Sequence, residues 1–248
     1  MRLAVVLCFS LLFTACPSSP PPPALKDAPS ASAAPVAPAA TPAASPTAPI
    51  RYLALGDSYT IGQSVAPAKR WPVQLAVLLR TSGLSVAEPE IVARTGWTTG
   101  DLLAGLERAA PKGPYDLVTL LIGVNNQFRG LDAEAYRKEL RVLLGRAIEL
   151  AGGRADRVVV LSTPDWGVTP FAARYDPAKV AAEIDAFNRI EEQEALAFSV
   201  AWVDVTPISR RADVDAGLVA PDGLHPSGQM YGEWAKAALP SVRRALGR

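Results

Sequence analysis

The chain has 248 residues, 49% of them hydrophobic and 20% charged, with a formal net charge of +1, so it lacks the basic excess of a nucleic-acid binder and no nucleic-acid partner is expected. Its two cysteines, Cys8 and Cys16, fall in the first sixteen residues and its one histidine is His225. That excludes a disulfide or thiolate metal site in the globular part and any multi-histidine metal centre; no metal or cofactor is expected, and a histidine-dependent step has one candidate.

In chain order, residues 1–16 begin with Arg2 and continue as an apolar run from Leu3 to Phe13, interrupted by Ser10. The run is short of the roughly 20 residues a bilayer-spanning helix needs. A basic start followed by a short apolar run marks a secretory signal. Phe13-Thr14-Ala15-Cys16 resembles the lipobox of bacterial lipoproteins. The resemblance implies cleavage before Cys16, lipidation of Cys16 and a membrane partner reached through that anchor. Pro17 is not the aspartate associated with inner-membrane retention, so the resemblance further implies an exported protein of the cell envelope at the outer membrane. An ordinary signal peptide cut nearby is the alternative. Residues 17–49 are almost entirely Pro, Ala, Ser and Thr. They have no apolar periodicity, cannot build a core and are expected to form a disordered tether.

From Ile50 the pattern is globular. Apolar runs at Ile50–Leu55, Ile91–Ala93, Leu117–Ile122, Val158–Leu161 and Val200–Val205 read as strands, the third and fourth buried on both faces. Between them lie helical segments: Pro72–Arg80, Asp101–Ala110, a helix capped by Asp132 and ending at Gly152-Gly153, one opened by Asp176-Pro177, and a last one after Pro226. Five alternations over residues 50–248 predict one domain, a three-layer α/β/α sandwich with about five parallel strands. No G-x-G-x-x-G follows the first strand and no Walker A lysine is present, so a nucleotide-binding reading lacks its phosphate loop.

Four stretches carry the candidate chemistry. Gly56-Asp57-Ser58 follows the first strand, where a parallel sheet gathers its functional groups. Ser58 is a candidate nucleophile if a base reaches it; otherwise it caps the next helical turn. Asp222-Gly223-Leu224-His225-Pro226 sets the one histidine on a loop before the last helix. Asp222 is near enough in sequence to bond one imidazole nitrogen, leaving the other to take a serine proton; the alternative is a surface turn. Gly123-Val124-Asn125-Asn126 follows the third strand, where a carboxamide can donate to a developing oxyanion or merely form a turn. Thr95-Gly96-Trp97 follows the second strand, where glycine lets the backbone approach a ligand.

Together, in this order, these blocks resemble the SGNH, or GDSL, hydrolase family, over residues 50–248. The resemblance implies a flavodoxin-like fold and a serine esterase or lipase acting on a small-molecule or lipid ester through an acyl-enzyme. Ser58 would be the nucleophile, His225 the base and Asp222 its orienter. The Ser58 and Gly96 amides and the Asn125 side chain would form the oxyanion hole. Asn126 stands where many members carry aspartate, so its replacement by aspartate is expected to be mild. An acyltransferase or a deacetylase of envelope glycans would use the same acyl-enzyme, and a catalytically silent envelope-binding module is the non-enzymatic alternative. The α/β-hydrolase fold needs G-x-S-x-G after several strands, whereas here the serine follows the first strand and Thr60 stands where the second glycine belongs. Ile61, Trp97, Phe128, Trp166 and Phe171 either line the substrate pocket or pack the surrounding loops. Trp97 and Trp166 are taken as substrate-binding candidates, and Asp165-Trp166-Gly167 as the specificity loop.

Overall fold

Five strands form one parallel sheet in the order β2-β1-β3-β4-β5: β1 is Tyr52–Gly56, β2 Glu90–Ala93, β3 Leu117–Leu121, β4 Val158–Leu161 and β5 Ala201–Val203. The computed structural model describes residues 48–248; the signal sequence with Cys16, and the proline-rich stretch apart from Ala48 and Pro49, lie outside the described residues. The helices are α1 (Ser58–Ile61), α2 (Trp71–Thr81), α3 (Thr99–Ala109), α4 (Val124–Phe128), α5 (Ala133–Leu150), α6 (Pro177–Ala197), α7 (Thr206–Arg210) and α8 (Gly228–Ala245).

Strand pleating sorts successive side chains to opposite faces. Tyr52 and Ala54 of β1, Leu117 and Leu121 of β3, and Val159 and Leu161 of β4 enter one apolar layer, with Trp71, Leu75 and Leu79 of α2 and Met230, Trp234 and Val242 of α8. Leu53 and Leu55, Val118 and Leu120, and Val158 and Val160 enter the other. It is closed by Leu102 and Leu106 of α3, Tyr136, Leu140 and Leu144 of α5, and Phe187 and Ile190 of α6. Both faces are covered, which is why the strands read as continuous aliphatic runs.

Helix starts follow their capping chemistry. Asp132 accepts from Ala135 N at 2.8 Å, Asp176 accepts from Ala178 N at 3.0 Å, and Ser227 from Met230 N at 3.3 Å. The segment expected to begin at Asp101 begins two residues earlier. Thr98 is its cap, and Asp101 is the third helical residue whose carboxylate bonds back to Thr98 in a capping box. Among the described residues, no helix is long and apolar enough to cross a membrane.

The order 2-1-3-4-5 has its switch point between β1 and β3. Crossovers leave in opposite directions there and open a crevice at the carboxyl ends of the strands. Leu53 to Gly56 pair with Val118 to Leu121, so the segments that follow Gly56 and Leu121 emerge side by side.

Candidate active site

β1 runs into a turn that only glycine permits. A Cβ on Gly56 would lie 2.2 Å from Thr60 Oγ1 and 2.4 Å from Leu121 O. The chain therefore folds straight back into α1, with Asp57 as its cap accepting from Tyr59 N at 3.0 Å. Ser58 is the first helical residue, and its N–H is one of those without an intrahelical acceptor. The Asp57 carboxyl is fully buried. Burial pushes its pKa up to about 7, against the pull of hydrogen bonds from the Tyr59 amide, the Asn125 side chain and its own backbone.

The loop before α8 is closed on itself. Val219 and Pro226 form an antiparallel bridge, Ala220 N donates to His225 O at 2.7 Å, and Gly223 turns the chain at φ 74°. Inside this turn Asp222 Oδ1 accepts from the amides of Leu224 at 3.0 Å and His225 at 2.9 Å. Asp222 Oδ2 is 2.7 Å from His225 Nδ1 and accepts from Ser64 Oγ at 2.6 Å. Partial burial works to raise the Asp222 pKa. The bonds from Ser64, the two amides and the imidazole outweigh it and hold the carboxyl well below its usual range. An ionised carboxylate only accepts, so His225 Nδ1 carries the proton between them, and in a neutral imidazole Nε2 is then the acceptor.

β3 continues into α4 through Gly123, at φ 133°, where a Cβ would lie 2.8 Å from Tyr136 Oη. Asn125 thus lies on a short helix rather than in a turn. Its Nδ2 donates to Trp97 O at 2.9 Å and approaches Asp57 Oδ2 at 3.4 Å. The second contact is long for an N–H···O bond, so that hydrogen is the more weakly held of the two and the one a ligand oxygen would draw away. Asn126 faces away and is buried, accepting from Thr99 N at 3.0 Å and donating to Thr99 Oγ1 at 2.7 Å. Thr99 Oγ1 in turn donates to Glu139. An aspartate at 126 would set an acceptor against a hydroxyl already committed to a carboxylate, a contact that weighs against a mild substitution. Gly96 adopts φ 80° and its carbonyl accepts from Arg129 Nη2 at 2.5 Å, while its N–H makes no hydrogen bond among the described residues.

Ser58, Asn125 and His225 line one pocket of about 100 Å3, together with Tyr59, Val124, Phe128, Trp166, Phe171 and Leu224. Trp166 stands on its wall, with Nε1 donating to Gln127 Oε1 at 2.8 Å and its ring edge-on to Phe128 at 5.3 Å. The loop that carries it is anchored by Asp165, paired with Arg210 at 2.9 Å. Gly96 and Ile61 are not on this wall. Trp97, taken from the sequence as substrate-binding, is not there either: its ring covers Gly105 of α3, where a Cβ would lie 2.3 Å from Cη2. Its part at the site is the carbonyl that Asn125 bonds. Sequence reasoning missed Tyr59, whose ring lies 5.3 Å from that of His225, and Leu224. Burial foremost, and then the Asp57, Asp222 and Asp165 carboxyls, push the Tyr59 hydroxyl far above its ordinary pKa, so it stays protonated. A second recess of about 240 Å3 shares Phe128 and Trp166 and adds Tyr175, Asp176, Lys179 and Glu183.

Residues 54–232 match the family model of the GDSL-like Lipase/Acylhydrolase family. No curated protein sequence matches the chain. Among solved structures, that of TesA superposes with a TM-score of 0.64 at 19% identity, over 79% of this chain and 99% of that one. The psychrotrophic esterase EstA from Pseudoalteromonas, inhibited by monoethylphosphonate, gives 0.61 at 14% identity, over 80% and 99%. A variant of an acetyl-xylooligosaccharide esterase from Geobacillus gives 0.61 at 21% identity, over 78% and 94%. At these identities the likeness is one of fold.

Proposed function

The chain belongs to the GDSL-like lipase/acylhydrolase family, hydrolases of carboxylic esters, and from that premise we propose a serine esterase in which Ser58 attacks the ester carbonyl. His225 Nε2 takes the Ser58 hydroxyl proton as Oγ bonds to the carbonyl carbon, and Asp222 stabilises the imidazolium that results. The Ser58 amide and Asn125 Nδ2, both of residues that line the pocket, receive the oxyanion, joined by the Gly96 amide as the family resemblance implies. Collapse of the tetrahedral intermediate breaks the bond to the alcohol oxygen, which leaves with the Nε2 proton. Water then releases the acyl group from Ser58 by the same steps in reverse. The observation that carries this reading is one pocket lined by Ser58, Asn125 and His225, with Asp222 bonded to the far nitrogen of that imidazole.

The pocket supports a short acyl chain. About 100 Å3 is small beside the roughly 300–1,000 Å3 of a pocket for a drug-sized ligand, and Phe128, Trp166 and Phe171 wall it in. Turnover of p-nitrophenyl esters is therefore expected to peak between acetyl and butyryl and to fall with longer chains; a maximum at decanoyl or beyond would refute the assignment of the pocket. Labelling by a fluorophosphonate tests the nucleophile. The wild-type chain should be labelled and inactivated, whereas Ser58→Ala should take no label and lose nearly all turnover while remaining folded. A Ser58→Ala protein that still labels fully excludes this serine. We further propose that a lipid on Cys16 tethers the domain to the membrane of the cell envelope, a reading supported by the sequence pattern around that cysteine.

A further inference from the structure

We propose that Ser64 is a positioning residue for the catalytic carboxylate, holding Asp222 so that His225 keeps its orientation toward Ser58; this rests on the serine-esterase reading above. Ser64 stands in the loop that leaves α1. That loop begins at Gly62, which closes the helix in the left-handed region, and Gln63 N donates back to Ser58 O at 3.0 Å. Two successive side chains of the loop reach the neighbouring segments. Gln63 Oε1 accepts from Thr95 Oγ1 at 2.5 Å, next to Gly96. Ser64 Oγ donates to Asp222 Oδ2 at 2.6 Å.

Three observations single out the second contact. First, Ser64 has φ 64°, one of three non-glycine residues at positive φ among the described residues. That region disfavours a side chain, and glycine occupies it without cost. The serine keeps its Cβ in a conformation where its hydroxyl is used. Second, Asp222 Oδ2 has two donors, Ser64 Oγ and His225 Nδ1, while Oδ1 takes the two amides of its own turn. The amides bind the carboxylate within residues 222–225 only. Ser64 alone ties it to the segment that carries the nucleophile. Third, Ser64 is 158 positions away in sequence and exposed, and among the described residues it makes the one hydrogen bond of Asp222 that leaves the 222–225 turn.

The test uses the full chain and its single histidine, which makes the imidazole Nδ1–H signal unique in a proton NMR spectrum. Ser64→Gly relieves the backbone and removes the hydroxyl, so it should fold at least as stably as wild type. We expect its kcat on p-nitrophenyl acetate to fall roughly three- to tenfold at unchanged KM, the size of one typical hydrogen bond. The Nδ1–H signal should move or exchange faster. Ser64→Asn tolerates the left-handed backbone and carries an N–H donor, and should recover most of both. Wild-type kcat in Ser64→Gly, an unmoved imidazole signal, or no recovery in Ser64→Asn would overturn the assignment. Failure of the nucleophile reading shows separately, as activity surviving Ser58→Ala, and leaves the NMR comparison intact.

Discussion

Asp57 is buried beside Ser58, and its proton is held more tightly in the folded chain than in the unfolded one. Its pKa rises from an ordinary 3.8 to about 7. Below 3.8 both states carry the proton and the group costs nothing. Between 3.8 and 7 the unfolded chain releases it while the folded chain keeps it, so stability falls as pH rises and levels off above 7. At about 1.4 kcal/mol per unit, the full effect is on the order of 4 kcal/mol. Asp57→Asn should remove that slope: the stability difference between variant and wild type, from urea titrations at pH 4 and pH 8, should shift toward the variant at the higher pH. Parallel curves would mean that Asp57 is ionised at both. Asn125 supplies a second prediction. A donor aimed at the oxyanion helps the transition state more than the bound ester. Asn125→Ala should lower kcat about 10²–10³-fold with KM little changed. If KM rises instead, Asn125 binds substrate and does not serve the oxyanion.

The short helix α4 is held from outside as much as from within. Gly123 starts it without a side-chain cap, and Asn126 pins it to the first turn of α3 through both atoms of its amide. Losing that amide leaves the buried Thr99 N–H without its acceptor. Asn126→Ala should cost about 1–3 kcal/mol of stability. It should also lower kcat, because the neighbouring Asn125 rides on the same turn. Asn126→Asp keeps the acceptor for Thr99 N and loses the donor to Thr99 Oγ1, so it should fall between alanine and wild type. Thermal denaturation beside kcat on one ester checks both. An aspartate variant with wild-type stability would show that Thr99 Oγ1 turns from Glu139 to meet it.

Both apolar layers are complete within the described residues, each strand contributing to the two faces alternately. Deleting residues 1–47 should therefore leave the melting temperature and the kcat on a soluble ester at wild-type values. A large loss of stability would mean that those residues pack on the sheet. The tether is tested in the intact protein: Cys16→Ser should move the domain from the membrane to the soluble fraction with unchanged activity on soluble esters. If the wild-type chain is already soluble, Cys16 is not an anchor.

The candidate site collects at one edge of the sheet for a physical reason legible in the chain. A parallel sheet is buried on both faces, so its strands appear as aliphatic runs, and turn chemistry at their carboxyl ends is local. Gly56-Asp57-Ser58, Gly123 to Asn125 and Asp222 to His225 could thus be placed at the ends of their elements from neighbouring residues, their roles coming only from the family resemblance, and Asp222 and His225, three positions apart, meet at 2.7 Å. Contacts between distant loops leave no such trace. That Trp97 turns onto Gly105 and leaves only its carbonyl to Asn125, that Asn126 serves α3, and that Ser64 reaches Asp222 were decided when α1, α3, α4 and the α8 loop packed around one crevice. Side chains there are placed by the space their neighbours leave, and a sequence pattern carries no record of that space.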